Sequence, residues 1–382
     1  MAISDINEYA HLTDADVAAL GEELDALKRR IETDLGERDV RYLRRTIMAQ
    51  RGLEAAGRLA LFGSGRKSLW LAGTAALALA KIIENMELGH NVMHGQWDWM
   101  NDPEIHSTTW EWDMVCASPH WKHSHNYIHH KYTNVIGMDH DVGYKILRVT
   151  RDEPWEPRRA FQPFFNVMLA TTFEWGIALH DLELKEVIAG RKSKEVAIPE
   201  VKLFLRKAGR QMGKDYLLFP ALTGPLFPLT FLGNATANLI RNVWAFNIIF
   251  CGHFPAGVAT FSEEDCLDVD GPNGREESHG HWYYRQLLGS ANIDGGRLLH
   301  LMSGNLSHQI EHHLFPDIPA RRYPEIAVEI REICERYDLP YNTGPLHKQL
   351  FSVAKKICRL ALPPRRSAPR TPEPVVEPVL AA

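Results

Sequence analysis

Apolar residues near the start of the chain recur at the spacing of an amphipathic helix. Thr13 stands where an N-cap is expected, and Asp16 follows three residues later. The apolar positions after them are Val17, Leu20, Leu24, Leu27 and Ile31. A basic stretch comes next, made of Arg38, Arg41, Arg44, Arg45, Arg51, Arg58, Arg66 and Lys67. We predict an amphipathic helix that packs against the protein or lies on a membrane surface. The basic stretch after it either contacts anionic headgroups or is a solvated helix face.

A nearly apolar run at 68–83 leads into the most polar part of the chain. A membrane-spanning helix needs about 20 apolar residues, so this run is short. It spans a bilayer if the side chain of Lys81 reaches the interface, or if the preceding segment 57–62 forms a hairpin with it.

Two further apolar runs, 216–232 and 235–254, predict a helical hairpin that turns at Gly233 and Asn234. Arg241 lies inside the second arm and must therefore face protein, water or headgroups. The hairpin is the clearest candidate for a membrane stem.

The run 161–179 is apolar but contains proline, asparagine and glutamate, and the segment 180–215 after it is rich in lysine and arginine. Such a basic segment is typical of a cytosolic loop, so the run either spans or lies at the interface as a re-entrant helix. Together the apolar runs predict an all-α fold, an integral-membrane helical stem with a cytosolic helical cap. The expected location is the cytoplasmic membrane, multi-pass, with the active site on the cytosolic side.

Composition excludes some classes of protein. The chain has 382 residues and a net charge of −5, which argues against nucleic-acid binding. Its five cysteines form no CxxC pair and indicate reduced thiols in a cytosolic setting. The polar first ten residues do not resemble a cleavable signal peptide. The mean hydropathy of −0.26 does not indicate a membrane protein, because a large polar cap dilutes the apolar runs.

The candidate chemistry lies in three histidine boxes that are far apart in the sequence. They read HxxxH, HxxxHH and HxxxHH, formed by His90 and His94, by His125, His129 and His130, and by His308, His312 and His313. On an α-helix, residues four apart share a face, so two imidazoles can hold one metal ion. Adjacent histidines point about 100° apart and suit two ions side by side. One such box is weak evidence, but three together favour a metal site over surface or core histidines.

Eight imidazoles exceed the needs of one ion, since a zinc site closes with four protein ligands. Imidazole binds iron, copper, zinc and nickel, so the residues alone do not choose the metal. His253 ends an apolar run and is a ninth candidate. Six carboxylates flank the boxes, at Glu84, Glu87, Asp98, Asp139, Asp141 and Glu311. Each either accepts a hydrogen bond from the second ring N–H of a histidine ligand or is a solvated charge.

Three phrases around the boxes resemble the integral-membrane fatty acid desaturases, a superfamily shared with alkane and sterol hydroxylases. The phrases are ENMELGHNVMHGQWDWMNDPEIHS, HKYTNVIGMDHDVGY and GNLSHQIEHHLFPDIP, and they are most similar to actinobacterial acyl-CoA delta-9 desaturases. The resemblance implies a non-haem di-iron centre that uses O2. The implied iron ligands are His90, His94, His125, His129, His130, His253, His308, His312 and His313.

Two positions depart from the family pattern or leave it open. Some relatives open the third box with glutamine, so Gln309 competes with His308. Animal acyl-CoA desaturases carry an asparagine four residues before their extra histidine, but Ile249 stands there in this chain, and Asn247, Asn292 or a water are the alternatives.

The resemblance also implies a domain division and a function. Residues 1–50 are expected to form an amphipathic helical region, 51–345 the membrane-bound desaturase domain, and 346–382 a Pro-rich, disordered tail. The implied reaction places a cis double bond in a long-chain acyl-CoA, such as stearoyl-CoA at delta-9, or in an acyl lipid. A hydroxylase on the same irons is the alternative, and a membrane zinc hydrolase or receptor is a distant one.

Electrons for that reaction must come from another protein. The sequence has no G-x-G-x-x-G fingerprint, no cysteine set for an iron–sulfur cluster and no fused haem-binding HPGG segment. A separate reductase is therefore expected, which by resemblance is an NADPH-using flavin and iron–sulfur protein. Membrane lipids are the other expected partners.

Overall fold

The computed structural model describes residues 11–263, residue 266 and residues 277–364. Nearly all regular structure in these ranges is helical, as predicted. The α-helices are α1 (Asp14–Asp34), α2 (Glu37–Leu61), α3 (Lys67–Ile82), α4 (Asn91–Met93), α5 (Ser118–Trp121), α6 (His130–Tyr132), α7 (Gln162–Thr171), α8 (Phe173–Asp181), α9 (Leu184–Ile188), α10 (Lys194–Met212), α11 (Phe219–Leu222), α12 (Phe227–His253), α13 (His279–Leu288), α14 (Arg297–Met302), α15 (Gln309–Leu314), α16 (Tyr323–Arg336) and α17 (Leu346–Ala361).

Shorter elements join these helices. Three turns are π-helical, at Ile83–His90, Lys122–His129 and Gly213–Leu218. The 3₁₀ turns are Asp98–Met100, Val142–Lys145, Pro157–Phe161, Gly224–Leu226 and Ala320–Arg322. Strands β1 (Asn292–Asp294) and β2 (Thr343–Pro345) pair in parallel, with Ile293 opposite Gly344.

The predicted N-terminal amphipathic helix is confirmed in α1. The Thr13 hydroxyl accepts a hydrogen bond from the backbone N–H of Asp16 at 3.2 Å, and the Asp16 carboxylate accepts one from the backbone N–H of Thr13 at 2.8 Å. The apolar stripe of α1 is buried in a core shared with α13, α15 and α16. Gly21 and Gly280 lie at the crossing of α1 and α13, where a Cβ on Gly21 would stand 3.0 Å from the Gly280 Cα.

The predicted hairpin between 57–62 and 68–83 is present as the pair α2 and α3. Gly57 and Gly73 lie at their contact, where a Cβ on Gly57 would be 3.0 Å from the Gly73 carbonyl oxygen. Within the described ranges, Lys67–Met93 is the one helical stretch long and apolar enough to cross a membrane, with a mean hydropathy of 1.2.

The hairpin predicted to turn at Gly233 and Asn234 is wrong, because α12 runs through both residues without a break. A Cβ on Gly233 would lie 2.9 Å from the Leu61 side chain, so the glycine provides close packing. The buried Asn234 side chain accepts a hydrogen bond from Arg58 at 3.0 Å. The chain turns earlier instead, at Gly224, whose φ is +58°.

The segment 180–215, predicted as a charged cytosolic loop, is mostly helical in α9 and α10. Helix α10 exposes both charged and apolar side chains, including Val196, Ile198 and Leu205. Over the nineteen residues of α10, charged and apolar side chains recur at helical spacing, as in an amphipathic helix. The prediction of a loop rested on the charge content and did not use this spacing.

One alternative placed the side chain of Lys81 at the membrane interface, and this is wrong. Lys81 is buried in an ion-pair cluster between helices. Its Nζ lies 2.9 Å from Asp113 Oδ2 and 2.7 Å from Asp215 Oδ2. Asp215 also pairs with Arg58 at 2.8 Å. Arg241 is likewise satisfied within the protein, 2.7 Å from Glu174.

Two predicted boundaries need correction. The boundary at residue 50 falls inside α2, and the segment 346–361 of the predicted tail forms α17, which buries Val353 and Ile357. The Pro-rich segment from 365 onward, residues 1–10 and most of the loop 261–278 lie outside the described residues.

Replacing Lys81 with methionine should destabilise the fold by about 1–3 kcal/mol, because the buried Asp215 and the half-buried Asp113 would each lose one cation and keep another, Arg58 and Lys214. The unfolding temperature in detergent, followed by fluorescence, measures the change. Lys67→Met is the matched control, since Lys67 is exposed at the start of the same helix. Equal unfolding temperatures for the two variants would show that the buried cluster contributes little.

Candidate metal centre

The three histidine boxes meet in the interior of the described structure. His90 and His94 follow α3, His129 and His130 end the turn after α5, and His312 and His313 lie on α15. All six are buried, with side chains in ring contact across the boxes. Segments more than 200 residues apart in the sequence therefore supply one cluster.

The backbone at the first two boxes departs from the predicted α-helix. His90 ends one π-helical turn, and residues 125–129 lie in another. The N–H of His130 donates to the carbonyl of His125, an i→i+5 bond that widens the turn. π-Helical turns inside α-helices are frequent at functional sites. Here the wide turn places the rings of His125 and His130 with their centroids 5.0 Å apart.

Four imidazoles form a first group, from His90, His94, His125 and His312. One nitrogen from each lies within 4.8 Å of the others. A second group with the same spacing comes from His129, His253 and His313. Adjacent His312 and His313 thus enter different groups, which is the divergence expected from their spacing on a helix.

His130 lies between the two groups. Its ring centroid is 4.7 Å from that of His94 in the first group and 4.5 Å from that of His313 in the second. Neither of its ring nitrogens has a hydrogen-bond partner, although the residue is buried. It therefore lies between the two groups and belongs to neither of them.

The partners of the Nδ1 atoms fix the orientation of several rings. His129 Nδ1 donates to Asp139 at 3.0 Å, and His313 Nδ1 donates to the Gln286 side-chain oxygen at 2.9 Å. His312 Nδ1 lies 3.3 Å from the Tyr323 hydroxyl. Histidines that bind metal through Nε2 have their Nδ1 held in this way.

The Nε2 atoms meanwhile lack partners in the cluster. They are buried and without hydrogen bonds in His94, His125, His129 and His312. The Nε2 atoms of His253 and His313 are 3.3 Å apart. Two nitrogens each about 2.1 Å from one ion at a tetrahedral angle would be about 3.4 Å apart, so the donor set fits a metal.

Burial lowers the pKa of the imidazoles that face one another, and neighbouring imidazoles act in the same direction. This holds for His94, His125, His130, His312 and His313, whose pKa values all fall well below the usual one. At neutral pH these rings are therefore neutral, which is the form that binds metal. Burial also acts downward on His129, but Asp139 outweighs it and the pKa of His129 is raised.

His308 is the one predicted ligand that the structure keeps apart from the cluster. Its ring lies against His300, with centroids 4.7 Å apart, and it belongs to neither metal group. The neighbouring Gln309 faces the site instead, with its side-chain nitrogen 3.1 Å from His253 Nε2. The geometry favours Gln309 over His308, because His308 precedes α15 in a non-helical conformation that turns it away.

Of the flanking carboxylates, two lie within hydrogen-bond distance of ring nitrogens in the cluster, Asp139 at His129 and Asp141 at His125, the latter at 3.4 Å. The others hold parts of the protein framework. Glu87 accepts from Tyr42 and Asn305, Glu84 from the backbone of Asp113, Asp98 from Ser107, and Glu311 from Asn292 and Tyr341.

Neither asparagine proposed as an additional ligand reaches the cluster. Asn247 donates to the backbone of Val243, and Asn292 contacts Glu311 and Tyr341. Sequence reasoning also missed Gln286 and Tyr323. Trp121 stacks on His125, with ring centroids 4.5 Å apart. Gln286 and Tyr323 lie outside every box, so no local spacing indicates their role.

An apolar cavity opens beside the cluster. His90, His125, His253 and Gln309 are among the residues that line it. The walls are mainly apolar, from Trp112, Met114, Phe173, Ile177, Ala245 and Ile249. The arrangement can hold an unbranched apolar chain next to the imidazoles.

The fold and site therefore define a helical protein with a buried imidazole cluster facing an apolar cavity. Residues 68–345 match the family model for fatty acid desaturase. The chain is 53% identical over 367 residues to the NADPH-dependent stearoyl-CoA 9-desaturase of Mycobacterium tuberculosis, covering 95% of this chain and 84% of that protein. It is 25% identical over 288 residues to the sn-1 linoleoyl-lipid 6-desaturase of Synechocystis, covering 73% and 76%.

The chain belongs to the fatty acid desaturase family. It is an oxidoreductase that desaturates fatty acyl chains, and its family is membrane-associated. The resemblance found in the sequence is confirmed, and the distant alternative of a zinc hydrolase or receptor is set aside.

His312→Ala should lower the amount of bound metal strongly, whereas His308→Ala should retain nearly all of it. His312 contributes a nitrogen to the first group, while His308 contacts His300 outside both groups. Elemental analysis of the two purified variants makes the comparison, with unfolding temperature as the check on folding. Loss of metal in His308→Ala at an unchanged unfolding temperature would return His308 to the ligand set.

Proposed function

We propose that this chain is an O2-dependent acyl-CoA desaturase that places a cis double bond at delta-9 of stearoyl-CoA. Two non-haem irons are its resident metals. The ligands would come from the first group, from the second group with His130, and from Gln309. The assignment of substrate and bond position is supported by the relative from Mycobacterium tuberculosis, whose name states both.

The observation that carries the proposal is the set of buried imidazole nitrogens without partners. A buried polar atom without a hydrogen bond costs about 1–3 kcal/mol, so several in one place require a compensating ligand. Two metal ions within this donor set would satisfy them at once. Imidazole ligands accept iron among several metals, and the O2 chemistry of the proposed reaction favours iron among them.

Iron in such a site supplies the activated oxygen that can remove hydrogen from an unactivated methylene, chemistry that no side chain provides. The residues of the chain do the rest. Trp112, Phe173 and Ile249 hold the acyl chain and exclude bulk water from the cavity. The Nδ1 contacts of His129, His312 and His313 fix the rings, so one C–C bond of the substrate is held beside the centre.

We further infer a multi-pass stem with the imidazole cluster on the cytosolic side. The α2–α3 hairpin and α12 would supply the stem. Their exposed apolar side chains include Leu59, Phe62, Leu71, Leu79, Phe231, Leu232, Leu239 and Ile240. Such a surface avoids water when it faces lipid. A long-chain acyl substrate would reach the cavity from the same membrane.

The two electrons would come from a separate reductase. The sequence supplies no dinucleotide loop and no cysteine cluster, and no disulfide joins its cysteines in the described residues. The relative's name states NADPH dependence, so NADPH would act through that reductase. Exposed lysines and arginines on α2 and α10 offer a surface for an acidic partner.

Expression in a desaturase-deficient host should restore a delta-9 monounsaturated C18 acyl chain, which mass spectrometry of the fatty acids detects. The His312→Ala variant, expressed to the same level, is the control and should restore none, because it lacks one imidazole of the first group. Hydroxylated acyl chains in place of alkenes would support the hydroxylase alternative. A double bond at another position would correct the placement of the substrate.

A further inference from the structure

Asp181 is a half-buried carboxyl in the wall of the cavity, at the last residue of α8. The Ser124 hydroxyl donates to its Oδ1 at 2.8 Å, and the Cys116 thiol donates to its Oδ2 at 3.2 Å. Ser124 immediately precedes His125 of the first group, so the carboxyl lies on the metal side of the cavity. The metal ligands do not contact it through any hydrogen bond that the described structure contains.

No cation neutralises this carboxyl within the described residues. The charged groups that act on it are the carboxylates of Asp141 and Glu183. Helix α12 packs on α8 and carries Arg241. This arginine pairs with Glu174, which lies about two helical turns before Asp181 on α8. His120 of α5 faces Glu200 and Lys192 instead, and α7 carries no charged side chain. Desolvation and the nearby carboxylates favour the protonated form of this carboxyl, although the hydrogen bonds from Ser124 and Cys116 act in the opposite direction.

The proposed reaction needs protons at this place. Desaturation breaks two C–H bonds, forms one C=C bond and reduces O2 to two waters. Two of the four electrons come from the substrate and two from the reductase. Besides the two hydrogens of the substrate, two protons must enter the cavity in each turnover. A dry apolar cavity delivers protons poorly unless a side chain carries them.

We propose that Asp181 is the acid that delivers protons into the cavity as O2 is reduced to water, an inference that rests on the proposed desaturase function. Each transfer leaves the carboxylate, which regains a proton from solvent before the next. Glu183, two residues beyond the end of α8, pairs with His140 at 3.2 Å with 22% of each side chain exposed, so titratable groups lie between Asp181 and solvent.

The electrostatics agree with the geometry. Burial raises the pKa of Asp181 to about 7, and the Asp141 carboxylate acts in the same direction. The acid is therefore protonated below neutral pH and is lost as pH rises through about 7. The wild-type rate should fall over that range, and Asp181→Glu should shift the fall in pH without abolishing turnover. A rate that is flat between about pH 6 and about pH 8 would contradict the proposal.

The matched variants are Asp181→Asn and Cys116→Ala. Asparagine keeps the size of the side chain and an oxygen for Ser124, but it carries no acidic proton. Cys116→Ala removes one hydrogen bond to the same carboxyl and keeps the acid. A structural role predicts similar losses in the two variants, whereas proton delivery predicts a selective loss in Asp181→Asn.

Two readouts separate these roles. In metal-free protein, the infrared difference spectrum between wild type and Asp181→Asn should contain the carbonyl stretch of one protonated carboxyl, shifted in D2O, which is absent from the difference between wild type and Cys116→Ala. A difference spectrum is needed because burial also raises the pKa of Glu311 to about 7. In the iron-loaded enzyme, Asp181→Asn should turn over about a hundredfold more slowly and release peroxide in place of water. Wild-type turnover and coupling in Asp181→Asn, or an unchanged infrared band, would overturn the proposal. A wild-type protein that shows the band but forms no alkene would instead refute the proposed function.

Discussion

The structure depends on bringing many imidazoles together in a dry interior with their Nε2 atoms unsatisfied. Burial of one such nitrogen costs about 1–3 kcal/mol, and His94, His125, His129 and His312 each contribute one. The protein offsets part of that cost at the other ring nitrogen, where Asp139 and Gln286 accept hydrogen bonds. Under the proposed function, metal binding at the Nε2 atoms would recover the remainder.

The rest of the architecture serves to hold the third box against the first two. Helix α15 begins where the backbone N–H of Ile310 donates to the Asn292 side chain at 2.9 Å, and Asn292 stands on β1. Arg322, beside α16, makes two hydrogen bonds to the buried Asp39 of α2, at 2.8 and 2.9 Å. The contacts of Arg322 with Asp39 join α2 to the segment that follows the third box, so α2 helps to hold that box in place.

Local patterns predicted much of this, and long-range contacts explain the errors. The spacing of the histidines indicated two groups, and the divergence of His312 from His313 is present in the structure. Sequence could not place His308 outside the cluster, because that depends on the backbone turn before α15. Gly233 and Asn234 indicated a turn by residue type, yet both are buried against α2 and α3, contacts that no local pattern reveals. The sequence pattern did not predict the π-helical turns at the first two boxes either.

The central claim is that this single chain holds two metal ions in two imidazole groups. Elemental analysis of purified, active protein, with protein concentration from amino-acid analysis, tests it most directly. The account predicts about two irons per chain, in proportion to activity across partially loaded samples. One iron per chain at full activity, or full activity with zinc alone, would contradict it.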